Sequence, residues 1–258
     1  MRLPDFCISD YDRLLSDLKD AGYSLRPVED LASPQSGRVA FLRHDIDLHI
    51  PGVEKIAAVE ARHGVSATYY VPLTLHFNPC YPENRMVLRR LVSDGHRIGL
   101  HYDLQTYPTD QSEAWEQLDR EAQALSALVS ADVRSICMHF PWEGREDLFV
   151  DTNRYVHPHN PRYALDMVYV SDSCRAWRDE TLLGCFTDEA PRRLLLNTHP
   201  ELWLGEAGTA RDEFAYGTLL ENTVRQHHSY VVDHMLPAWD AHPAPKLHDQ
   251  RECGHEAA

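Results

Sequence analysis

The stretch "FLRHDIDLH", residues 41–49, decides how the chain is read. Val39–Leu42 are apolar and β-prone, so the spacing predicts a strand over residues 38–43. His44, Asp45, Asp47 and His49 then follow within six positions. Sheet formation alone does not account for two carboxylates and two imidazoles at the end of a strand, because Asp is depleted from strands.

The same punctuation recurs along the chain. "SATYYVPL" (66–73) is rich in β-formers and predicts a second strand, and "HRIGLH" (96–101) a third that ends in His101 and is followed by Asp103. "VRSICMHF" (133–140) carries His139 near its end. "MVYVSDS" (167–173) ends at Asp172, and "RRLLLNTH" (192–199) ends at His199. Helical patterns lie between them. Tyr11, Leu14, Leu15 and Leu18 share one face, Pro51 suits the first turn of a second helix, and residues 83–94 form a third before Gly95. Trp115, Leu118, Ala122, Leu125 and Val129 step by three and four, and a last helix spans roughly 211–236.

Strands alternating with helices imply parallel pairing through right-handed crossovers, hence an α/β fold with a barrel-like sheet. One domain is expected over residues 1–242, with a polar, Pro-containing tail over 243–258. The stretch 141–166 breaks the rhythm and reads as a long loop of the kind that covers active sites. In parallel barrels the carboxyl ends of the strands converge on one face. Carboxylates and imidazoles from separate strands would meet there, and an Asp with two His is a suitable ligand set for a divalent ion that keeps open positions.

Composition narrows the class. The net charge of −15 lacks the basic footprint of a nucleic-acid or anionic-membrane surface. Six scattered cysteines (7, 80, 137, 174, 185 and 253) form no CxxC pair, which argues against a structural zinc or a disulfide framework. No segment approaches the ~18 apolar residues of a membrane span, and the N-terminus has no apolar leader. A cytoplasmic protein is the expectation.

Five stretches, in order, resemble the polysaccharide deacetylase family, also called the NodB-homology group or carbohydrate esterase family 4. "RHDID" is similar to its first aspartate motif, "GVSATYYV" to its second strand, and "GHRIGLH" to its GHEIGxH motif. "MHFPWEG" falls where an arginine–proline motif is expected, and "LLLNTHPELW" resembles the last motif. The HDxD…GLHYD version also looks like a subgroup found beside sugar-biosynthesis genes.

The resemblance implies a distorted (β/α)7-like barrel, a divalent metal (most commonly zinc) and hydrolysis of an N-acetyl group from an amino sugar or a small glycan intermediate. It matches Asp45 to the catalytic base, Asp47 and His101 to metal ligands, and His199 to the general acid. The chain departs from the family in two places. The second ligand histidine is replaced by Gln105, and the arginine of the third motif by His139. His139 is therefore expected as the third ligand, with His44, His49 and Asp103 as substitutes. Trp142, Trp203 and Asp172 are expected beside the substrate, the indoles stacking on sugar faces and Asp172 orienting His199. A backbone N–H near Tyr102 or Phe140 would face the oxyanion. Two other readings stay open: an amidohydrolase for a non-sugar amide, and a non-catalytic descendant that binds a glycan or a partner protein.

Overall fold

The computed structural model describes residues 2–140, 147–177, 181–210, 213–230, 232 and 235–237. Seven strands form one parallel sheet: β1 (Tyr23–Pro27), β2 (Arg38–Asp45), β3 (Thr68–Val71), β4 (Arg97–Tyr102), β5 (Ile136–Met138), β6 (Met167–Ser171) and β7 (Arg193–Thr198). Their order is β5-β4-β3-β2-β7-β6, and β1 pairs with β2. The sheet curls into a half-barrel open between β5 and β6, as the alternating pattern predicts. The bridge Ser135–Val156 lays the long loop along the β5 side of that gap.

β2 is the centre. Its first half pairs with β1 (Arg26 opposite Phe41) and its second half with β3 (Asp45 opposite Tyr70), while β7 runs along its other edge (Arg43 opposite Asn197). Side chains of a strand alternate between faces. One face of β2 carries Ala40, Leu42 and His44. It packs, with the outward residues of β3, β4 and β7, against α1 (Ile8–Asp20), α2 (Pro51–His63), α3 (Pro82–Ser93) and α4 (Gln111–Val129). The other face carries Val39, Phe41, Arg43 and Asp45 into the barrel, where Val39 and Phe41 meet Tyr70, Cys137 and Leu195. Both faces are buried, so the strand reads as an almost unbroken apolar run until its polar end.

Gly99 on β4 makes this interior possible. A Cβ there would lie 2.5 Å from the Tyr70 ring and 2.7 Å from Ser135 Oγ. β1 was not expected from the sequence. Its five residues, "YSLRP", are too short and too Pro-marked for periodicity to separate them from a loop. β5 keeps only three of the eight residues expected, although His139 N still donates to Tyr102 O at 2.8 Å. The last helical segment is π-type over Phe214–Leu219 and α-helical over Leu220–Tyr230. The expected tail lies outside the described residues. Among those described, no helix is long and apolar enough to cross a membrane.

Candidate active site

The strand ends deliver their polar groups to one cavity of about 970 Å3, lined among others by Asp45, Asp47, His139, His199 and Asn197. Asp45 sits on the last rung of β2, with its side chain inside the barrel. Arg43, two residues earlier and so on the same face, donates Nε to Oδ1 at 2.8 Å and Nη2 to Oδ2 at 2.7 Å. Asn197 Nδ2 donates to Oδ2 at 3.0 Å. Burial alone would raise the Asp45 pKa. The Arg43 guanidinium outweighs it, with help from His101 and His199, and holds the carboxyl well below the usual range. Arg43 itself is 3% exposed and lies 5.4 Å from the centre of the Tyr70 ring.

Asp47 lies just past the strand, with Oδ1 3.5 Å from His101 Nε2 and 3.3 Å from His139 Nδ1. The two imidazole nitrogens are 3.2 Å apart. One donor atom from each of Asp47, His101 and His139 lies within 4.8 Å of the others, and among the described residues this is the one such group. His101 Nδ1 donates to Cys137 O at 3.0 Å, which leaves the Nε2 lone pair facing Asp47. Burial lowers the pKa of His101 despite the two aspartates, keeping it neutral as a ligand must be. The neighbouring Asp47 carboxylate raises the pKa of His139. With His101 Nε2 free to accept, His139 Nδ1–H donates to it at 3.2 Å, while Asp47 Oδ1 is left buried without a hydrogen-bond partner among the described residues. A cation between the three would satisfy all of them, so the donor set fits a divalent metal.

None of the other ligand candidates joins the cluster. His44 is on the outward face of β2, bonded to Glu60 at 2.8 Å and Thr198 at 2.6 Å. His49 is buried outside the cluster, Asp103 caps the turn at Gln105 N, and Gln105 is exposed.

His199 closes the set. Its Nδ1–H donates to Asp172 Oδ1 at 2.6 Å, and its backbone N–H reaches both Asp172 oxygens. Nε2 then faces Asp45 and Asp47, 3.8 Å from each. Burial would lower its pKa, but Asp172, with Asp45 and Asp47 adding, raises it well above the ordinary value.

Two expectations about the substrate are corrected. Trp203 is fully buried among Phe6, Tyr11 and Trp177, and its Nε1 donates to Asp172 Oδ2 at 2.7 Å, so its ring cannot stack on a ligand. Asp172 is itself fully buried and spends its oxygens on His199 and Trp203, not on substrate. Trp142 lies outside the described residues. The aromatic rings that do line the cavity are Phe140, 54% exposed, and Tyr169, 43% exposed.

Four site residues lie outside the expected set. Arg43, whose charge reads more readily as surface solvation than as shaping the field around Asp45, is buried beside it; Arg43 and Asn197 each lie two positions before a site residue, so alternation points to both. His159 comes from the long loop, and its Nε2 accepts from Arg43 Nη1 at 3.1 Å. Burial, with the Arg43 charge adding, lowers its pKa to about 3. Glu201, from the turn after β7, accepts from Asp47 N at 3.2 Å, and burial beside Asp47 pushes its pKa up to about 8. No pattern in the sequence marks either one.

No family model matches the chain, and no curated protein does. Solved structures do. A carbohydrate esterase family 4 pseudoenzyme from Bacillus anthracis is 16% identical over 74% of this chain and 62% of its own, with a TM-score of 0.44. The chain therefore spans under two thirds of that protein. The Xyl-CE4 domain of a multidomain xylanase from the hindgut metagenome of Trinervitermes trinervoides is 13% identical over 74% of this chain and 85% of its own (TM-score 0.44). A mutant of the peptidoglycan deacetylase PdaC from Bacillus subtilis is 16% identical over 77% and 96% (TM-score 0.44).

Proposed function

We propose that this chain is a divalent-metal-dependent amide hydrolase that removes an N-acetyl group from an amino sugar or a small glycan intermediate. One observation carries the reading. Asp47, His101 and His139 converge beside a buried carboxylate, Asp45, and a carboxylate-paired imidazole, His199, around a single cavity. A binding module has no need of a proton acceptor and a proton donor beside a ligand cluster.

Asp47, His101 and His139 would hold the ion, most suitably zinc given one oxygen and two nitrogen donors. Bound there, it would bring the pKa of a water toward ~7 and polarise the acetyl carbonyl. Asp45 takes the proton from the attacking water. Its low pKa makes it a weak base, so the proton must already be acidic, which suits a water beside a cation. Arg43 and Asn197 hold both oxygens of Asp45 and so fix its orientation. His199 gives a proton from Nε2 to the leaving amine, and Asp172 keeps that imidazole charged and turned toward the cavity. Acetate and a free amine are the products. Phe140 and Tyr169 line the cavity in which a sugar ring would lie.

The test is metal content followed by acetate release from N-acetyl amino sugars, free and nucleotide-linked. The expected result is about one zinc per chain, with an Asp45→Asn variant that keeps the zinc and loses ~10²–10⁴-fold in turnover. Unchanged turnover in zinc-loaded Asp45→Asn removes Asp45 from the mechanism. A chain that takes up zinc yet releases no acetate from any of these compounds favours the binding-protein reading.

A further inference from the structure

Glu201 has no part in the chemistry above, yet it is 2% exposed and lies against the cavity. We propose that Glu201 is a positioning residue that holds the metal-ligand segment at Asp47 through the Asp47 backbone amide. Every buried backbone N–H needs a partner, and the bonds at the end of β2 show where this one comes from. Ile46 N donates to Tyr70 O at 3.0 Å, the last bond of the ladder toward β3. One residue later the chain has left the sheet, and the amide of Asp47 donates to Glu201 Oε1 at 3.2 Å. That bond sets the direction in which the chain leaves the strand, and so where the Asp47 carboxylate points.

Glu201 is itself pinned from two sides. Two residues on, Trp203 is locked into the core and bonded to Asp172. On the other side, Gly52 in the first turn of α2 lets the helix touch the Pro200–Glu201 backbone. A Cβ at Gly52 would lie 2.2 Å from Pro200 O and 2.9 Å from Glu201 N. The segments before α2 and after β7 therefore meet at Asp47–Glu201, and the tether joins the exit of β2, which carries Asp45, to the turn after β7, which opens at His199.

The proposal rests on Asp47 being a metal ligand, and the experiment separates the two claims. Zinc affinity by competition titration and amide exchange at Asp47 in the metal-free protein are read for the wild type, Glu201→Ala, Glu201→Gln and Gly52→Ala. Partners that orient a ligand typically contribute 10–100-fold to metal affinity, so Glu201→Ala should weaken zinc by about that factor. It should also speed exchange at Asp47 by at least roughly tenfold, as loss of a bond worth ~1.4 kcal/mol would. Glu201→Gln, which keeps an acceptor oxygen, should rescue both. Gly52→Ala should weaken zinc although it touches no ligand. Wild-type protein that takes up no zinc refutes the ligand reading alone. Equal Asp47 exchange in wild type and Glu201→Ala overturns the positioning role, with or without zinc. So does a Glu201→Gln variant as impaired as Glu201→Ala.

Discussion

At the scale of single residues, His139 and Arg43 divide two tasks at the site. His139 turns its Nδ1 to Asp47 and His101. Arg43 supplies the guanidinium to Asp45 from two residues upstream. His139→Ala should therefore lower zinc affinity about as much as His101→Ala, while Gln105→Ala, at an exposed position, should leave it unchanged. Competition titration decides this, and metal binding that survives His139→Ala removes it from the ligand set. The His199–Asp172 pair makes a second residue-scale prediction. A proton donor works while it is protonated, and Asp172 holds the His199 pKa well above its ordinary value. Activity should fall as pH rises through that raised pKa. Asp172→Asn removes the charge and should move the alkaline limb toward lower pH, read from kcat against pH on metal-loaded protein. An unmoved limb assigns it to another group.

At the scale of elements, the barrel interior depends on a close approach between neighbouring strands. β4 passes Tyr70 of β3 with only the hydrogens of Gly99 between the ring and the backbone. The ring lies beneath Arg43, so pushing it tilts the floor under Asp45. Gly99→Ala should destabilise the fold by about 1–3 kcal/mol, the usual cost of overpacking. The urea midpoint should fall at constant slope. An unchanged midpoint would show that the ring has room to move.

Across the whole molecule, the site is braced from behind by a buried polar network. His44 faces away from the cavity and joins Thr198 of β7 to Glu60 of α2. Glu60 also accepts from Tyr11 of α1 at 3.0 Å and from Tyr69 of β3 at 2.5 Å. Two strands and a second helix thus meet on one carboxylate, and β7 joins through His44, next to the residues that present Asp45 and His199. Burial would raise the Glu60 pKa, but His44, His96 and Tyr69 outweigh it and lower it. A carboxylate with a depressed folded pKa stabilises above its unfolded value, about 4.3, and that stability is lost as pH falls through the folded value. Wild-type stability should therefore drop as the pH is taken below about 4. Glu60→Gln should cost on the order of 3–5 kcal/mol at neutral pH and flatten that acid dependence. Equal acid dependence in both proteins would rule out Glu60 as the group responsible.

Most of the framework was legible in the sequence because local patterns report it directly. Alternation and β-forming residues mark six of the seven strands, and three-four spacing marks the helices. Polar residues at strand ends need no long-range information once the strands are taken as parallel, since parallel strands bring their carboxyl ends to one face. This is why Asp45, Asp47, His101, His139 and His199 were nameable, and why the resemblance rested on the same positions. Tertiary structure alone decided which way the remaining side chains point and what they meet. The face of Trp203 depends on how the turn after β7 packs on α1, and that packing puts the ring in the core. His159 and Glu201 arrive from loops, where no periodicity fixes direction. Asp172 serves His199 rather than a ligand because, among the described residues, its buried oxygens are taken by His199 and Trp203. Spacing along the chain encodes strands and faces, while contacts between residues more than a hundred positions apart, such as Asp47 and Glu201, are set only when the barrel closes around them.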